Sequence, residues 1–135
     1  MRINFNSIKP IYIQVAEAIE DDIVTGKLKE GDPVYSQLVL SRELGINPAT
    51  AAKGINQLVS DGTLEKQRGL SMTVAKGAAD KLLKKRRDTE FREIAENLID
   101  AAIKIGLSKE TVITEISHLF NDKARNTEEG GNENE

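Results

Sequence analysis

Tyr12, Val15, Ala16, Ile19 and Ile23 recur at three- and four-residue steps, the spacing of one face of an α-helix. Glu17, Glu20, Asp21 and Asp22 occupy much of the remainder. The pattern predicts a first helix over residues 10–25. Pro10 suits a first helical position, where its missing N–H has no partner to lose. Gly26 suits the left-handed residue that closes a helix. Periodicity then lapses over residues 27–35, where Gly31-Asp32-Pro33 marks a turn. Ser36 predicts the N-cap of a second helix over 37–44, with Leu40 and Leu44 inward and Gly45 ending it. Asn47-Pro48 pairs a good cap with the favoured first helical residue, which starts a third helix over 48–60. Ala51, Ile55, Leu58 and Val59 make its buried stripe, Gly54 permits close packing, and Asp61-Gly62 stops it.

The period then changes from helical to alternating. Residues 63–67, with Leu64 inward, and 72–75, with Val74 inward, predict two short strands joined through Arg68-Gly69-Leu70-Ser71. Helix, helix, tight glycine turn, helix and hairpin is the layout of a winged helix-turn-helix. Beyond Gly77 the chain turns helical again. Phe91, Ile94, Leu98, Ala101 and Ile105 repeat at heptad-like steps up to Gly106. Ser108 caps a further helix with Val112, Ile113, Ile116, Leu119 and Phe120 on one face. The predicted fold is therefore mainly α with a small β-hairpin wing. A winged helix-turn-helix over residues 1–77 precedes a two-helix dimerisation tail over 78–124 and a disordered acidic segment over 125–135.

Charge alters this picture less than it first suggests. The formal net charge is -3, from 19 Lys and Arg against 22 Asp and Glu, which weakly opposes nucleic-acid binding. Its distribution is uneven. Residues 1–77 are neutral, the stretch from Lys81 to Arg92 is basic, and the residues after Asn126 are acidic, so a local basic patch remains free to meet phosphates. No cysteine is present, which excludes disulfides and thiolate metal sites. The first residues lack the pattern of a secretion signal, and no apolar run is long enough to span a membrane, so a cytoplasmic location is expected. His118 is the sole histidine and reads as a surface side chain rather than a metal ligand. No phosphate-cradling loop, nucleophile motif or acid–base pair stands out, so neither catalysis nor a cofactor is expected. A small-molecule effector is left unassigned.

Several of these segments together resemble the winged-helix domain of the GntR family of bacterial regulators. They are Pro10-Ile11-Tyr12-Ile13-Gln14, Gly26-Lys27-Leu28-Lys29-Glu30-Gly31-Asp32, the junction from Leu44 to Thr50, and the helix end from Leu58 to Gly62. The short tail is similar to that of the YtrA-like subfamily. The resemblance implies a homodimer that represses transcription, often of a transporter operon. Three positions depart from the family pattern. Leu38 stands where an arginine that reads bases is usual. Val34-Tyr35-Ser36 replaces Leu-Pro-Ser. The wing tip reads Gly69-Leu70-Ser71-Met72 instead of Gly-x-Gly-Thr. Losing that arginine removes a bidentate guanine reader, and the departures imply an altered or weaker operator preference.

A helix-turn-helix inserts the start of its second helix into the major groove, which nominates Asn47, Thr50 and Lys53 as contacts to double-stranded DNA. Asn47 caps its helix in the alternative reading, and Thr50 and Lys53 are otherwise plain helix surface. Ser36 and Gln37 begin the preceding helix and can meet phosphate. Arg68 and Gly69 at the wing tip are placed to reach the minor groove or backbone. The run Lys84-Lys85-Arg86-Arg87 is either further phosphate attraction or a solvated face. Phe91, Ile94, Leu98, Ile105, Ile116 and Phe120 are expected to carry dimerisation, because two helices alone do not bury so wide an apolar face. The competing reading is a winged helix repurposed to bind protein, motivated by Leu38 and the neutral N-terminal half.

Overall fold

The computed structural model describes residues 1–133 apart from Arg68 and Leu70; the side chains beyond Glu128 lie outside the description. Two compact units divide the chain, Met1–Asp88 and Thr89–Glu135. The first contains α1 (Ile11–Val24), α2 (Gln37–Leu44), α3 (Pro48–Ser60), β1 (Leu64–Lys66), β2 (Met72–Val74) and α4 (Ala78–Arg86). Pro10 is the N-cap of α1 rather than its first residue, since its ψ of 144° is not helical. Gln14 ties the preceding arm to α1. Its Oε1 accepts from the Asn4 N–H at 2.8 Å, while its Nε2 donates to the carbonyls of Asn4 and Lys9.

The strands pair antiparallel with Leu64 opposite Val74 and Lys66 opposite Met72. Residues 31–34, expected to be irregular, extend this sheet. Pro33 bridges to Thr73, and the N–H groups of Gly31 and Val34 donate to the carbonyls of Val74 and Met72, each at 2.8 Å. Proline forms no ladder bond through nitrogen and is therefore confined to sheet edges such as this one. One core is shared by Val15 and Ile19 of α1, Val34, Leu40 of α2, Ala51, Ile55 and Leu58 of α3, and Leu64 and Val74 of the hairpin. Helices α1 and α3 approach closely at Gly54, which is buried.

Helix α4 belongs to this core instead of to the tail. Ala78 and Leu82 are buried in it, and Arg86 Nη2 bonds Asp21 Oδ1 of α1 at 2.8 Å. The boundary between the units accordingly falls after Asp88 rather than at Gly77. It lies within a wide π-helical turn, Arg87–Phe91. The second unit consists mainly of α5 (Arg92–Lys104) and α6 (Lys109–Glu133). Gly106, with φ of 76°, turns between them, and Ser108 Oγ accepts from the Thr111 N–H at 3.1 Å. Helix α6 continues to Glu133, where the sequence predicted disorder from residue 125.

Glu20 on α1 is half-buried and lines a groove with Asp61, Thr63, Lys81 and Lys85. Burial raises its carboxyl above the ordinary value; Lys85 and Arg86 oppose that rise, while Asp61 and Glu17 add to it. A carboxyl raised in the folded state holds its proton longer there than in the unfolded chain. The stabilisation is complete at pH below the unfolded value and fades as pH climbs through the folded one. Glu20→Gln, which does not titrate, is expected to gain stability relative to the parent across that interval. Urea midpoints of both proteins between pH 4 and 7, about the carboxylate range, check this; a constant difference contradicts it.

Candidate nucleic-acid interface

The helix-turn-helix is built by its caps. Ser36 Oγ accepts from the Val39 N–H at 3.2 Å and starts α2. Gly45 ends that helix in the left-handed conformation, φ 67°, which a residue with a Cβ adopts only at a cost. Asn47 Oδ1 accepts from the Ala49 N–H at 2.7 Å, and Pro48 follows as the first residue of α3. With only residues 45–47 between them, α2 and α3 are forced into a sharp crossing. The capping role of Asn47 occupies its acceptor oxygen. Ser36 likewise spends its hydroxyl oxygen on its cap, and Gln37 is exposed beside it.

On α3, Ala51, Gly54, Ile55 and Leu58 face the core, and Ala49, Lys53 and Asn56 are exposed. Steps of four and three put those three on one stripe, uncovered by any described residue. Asn56 was missed from sequence; its spacing from Lys53 was the available signal. Lys53 does not extend freely. Its Nζ sits 4.0 Å from the centroid of the Tyr12 ring on α1, a cation–π placement that leaves the charge at the surface. Thr50 is half-buried and lines an open hollow with Phe5, Ile11, Tyr12, Gly45, Ile46 and Asn47, so it points less outward than its spacing suggested. At the hairpin loop Gly69 is exposed with φ of 74°, and Gln67 Nε2 donates to Thr73 Oγ1 at 3.4 Å. Arg68 lies outside the described residues.

The basic run is partly committed to neighbours. Arg86 pairs with Asp21, and Arg87 Nε lies 3.7 Å from Asp88; Lys84 is exposed. His118 is exposed, and among the described residues no cluster of acidic residues or histidine is arranged to hold a metal ion. Among the same residues no helix is long and apolar enough to cross a membrane.

In the second unit, Phe91, Ile94, Leu98, Ile105, Ile116 and Phe120 are all exposed, Phe91 at 66% and Phe120 at 73%. Only Ala102 and Val112 are buried there among the described residues. The sequence periodicity located an apolar face correctly, and that face has no core of its own unit to enter.

Capped helices crossing at a tight turn, a recognition helix with a bare outer stripe, and a hairpin behind it define a winged-helix DNA-binding protein. Residues 11–74 match the family described as bacterial regulatory proteins, gntR family. The chain belongs to that family through this domain and is a transcription regulator, not an enzyme. It is similar to the HTH-type transcriptional regulator YhcF of Bacillus subtilis (strain 168), 29% identical over 109 residues, which cover 81% of this chain and 88% of YhcF. It is also similar to the HTH-type transcriptional repressor YtrA of the same strain, 26% identical over 75% of this chain and 78% of YtrA. Among solved structures, a GntR family transcriptional regulator from Listeria monocytogenes superposes with a TM-score of 0.67 at 26% identity, covering 84% of this chain and 98% of its own. The DNA-binding domain of AraR, solved in complex with operator ORX1, superposes with a TM-score of 0.51 at 28% identity over 56% of this chain and 95% of that domain.

Proposed function

We propose that this regulator is a cytoplasmic repressor that binds a two-fold symmetric operator as a homodimer. The observation that carries the reading is the apolar face of the second unit, from Phe91 to Phe120, left open by its own two helices. Pairing two such faces removes them from water and brings two recognition helices to one duplex, so that operator symmetry follows protein symmetry. The name of YtrA as a repressor supports the direction of control. Lys53 and Gly69 contact the DNA in this reading, as do Ser36, Gln37, Asn47, Thr50 and Arg68. Asn47 acts there mainly by holding the start of α3, whose free N–H groups face a phosphate. The ring of Tyr12 restrains the Lys53 ammonium before binding and reduces the ordering that binding requires.

Selection of bound sites from randomised duplex DNA tests the proposal. Two half-sites in inverted repeat, spaced by about one helical turn or a multiple of it, are expected. Combining Lys53→Ala with Arg68→Ala is expected to weaken binding across sequences. It is also expected to flatten the dependence of log affinity on log salt by about 1 for each phosphate no longer neutralised. Affinity and slope equal to those of the parent rule out this interface, and selected sites without symmetry rule out the dimer.

A further inference from the structure

Helix α2 turns Leu40 and Ser41 into the core, with Leu44 half-buried. At about 100° per residue the opposite side carries Leu38, Val39 and Arg42. All three are exposed, Leu38 at 60%, and Tyr35 is exposed just before the cap. Glu43 flanks this side away from Leu38. The turn is pinned at both ends: Ser36 Oγ accepts from the Val39 N–H, and Ser41 Oγ donates to the Leu38 carbonyl at 3.0 Å. An apolar patch is thus held rigidly at the start of the first helix of the motif, beside a cation.

We infer that this patch is a base-reading surface specific for thymine, with Leu38 and Val39 packing on the C5-methyl group and Arg42 meeting the adjacent phosphate. The inference rests on the DNA-binding reading of the helix-turn-helix, whose first helix lies across the backbone of the groove that α3 enters. Thymine is the one base that offers an apolar group in the major groove. A leucine there accepts the methyl. Placed over guanine or adenine, it covers hydrogen-bonding edges and gives them no partner. The patch is too small for a second copy of the chain: three apolar side chains fall far short of the roughly 800 Å² per partner of a stable protein interface. A positive side chain at its margin suits a polyanion.

Sites selected by the full-length protein are expected to hold a fixed thymine in each half. Replacing that thymine with uracil, which lacks only the methyl, is expected to lower parental affinity about fourfold, the worth of one buried carbon. Leu38→Ala, at an exposed position, is expected to keep the fold, shown by an unchanged circular dichroism melt, and to bind the thymine and uracil duplexes equally. Leu38→Arg is expected to move selection at that position toward guanine. Equal binding of the two duplexes by the parent overturns the inference, as does a difference that persists in Leu38→Ala; either result points to a protein partner for the patch. Failure of the parent to retain any duplex at low salt overturns the DNA-binding reading itself.

Discussion

Leu98→Glu is expected to convert the protein from a dimer to a monomer and to lower its operator affinity by at least about a hundredfold. Leu98 is exposed on α5 in the single chain, so a glutamate there meets water and leaves the fold of the monomer intact. Between two paired apolar faces the same carboxylate is stripped of water with no partner supplied, a cost of several kcal/mol in order of magnitude. Operator affinity follows because linking two readers makes the second contact intramolecular, an advantage of about 10² to 10⁴ that a monomer forfeits. Sedimentation velocity of parent and variant, with mobility shifts on a selected site, checks both halves. A variant that stays dimeric moves the interface away from this face. One that is monomeric yet binds as tightly as the parent shows that reading DNA does not depend on pairing.

The parts of this molecule that were legible in sequence are those fixed by neighbours along the chain. Ser36, Gly45, Asn47 and Pro48 each act within three residues, and together they set both ends of α2 and the start of α3 without reference to the rest of the fold. The helical stripe on α1 was legible for the same reason. What sequence did not reveal depends on partners distant in the chain. Residues 31–34 join the hairpin through Thr73 and Val74, a pairing that no local period encodes. Ala78 and Leu82 look like the beginning of the tail stripe because periodicity marks an apolar face and not the surface that buries it. The π-turn over Arg87–Phe91 contains no proline or glycine to announce it. The candidate interface divides in the same way. Lys53 was recognisable as an outward residue of α3, but its resting place on the ring of Tyr12 exists only once α1 and α3 have packed.

That packing is the subject of the second large effect. Gly54→Ala is expected to destabilise the N-terminal unit by about 1–3 kcal/mol, the range for forcing extra atoms into a filled core. A Cβ at this position would lie 2.7 Å from the carbonyl oxygen of Tyr12 and 3.0 Å from Val15 Cβ and Cγ1. The nearest of these atoms is backbone within α1, so no rotamer change relieves the clash and the two helices must separate. Alanine's better helix propensity offsets up to about 1 kcal/mol, which makes Gly54→Val, β-branched and larger, the more damaging change. For a domain of this size each kcal/mol lowers the melting temperature by about 4–8 °C. Thermal and urea unfolding measure the loss. The functional consequence is separable: moving α1 away from α3 takes the Tyr12 ring from under Lys53, so DNA affinity is expected to fall even at temperatures where the variant remains folded. A Gly54→Ala protein that melts at or above the parental temperature would mean that α1 and α3 do not approach as closely as the glycine allows, and the support given to Lys53 would then have to come from elsewhere.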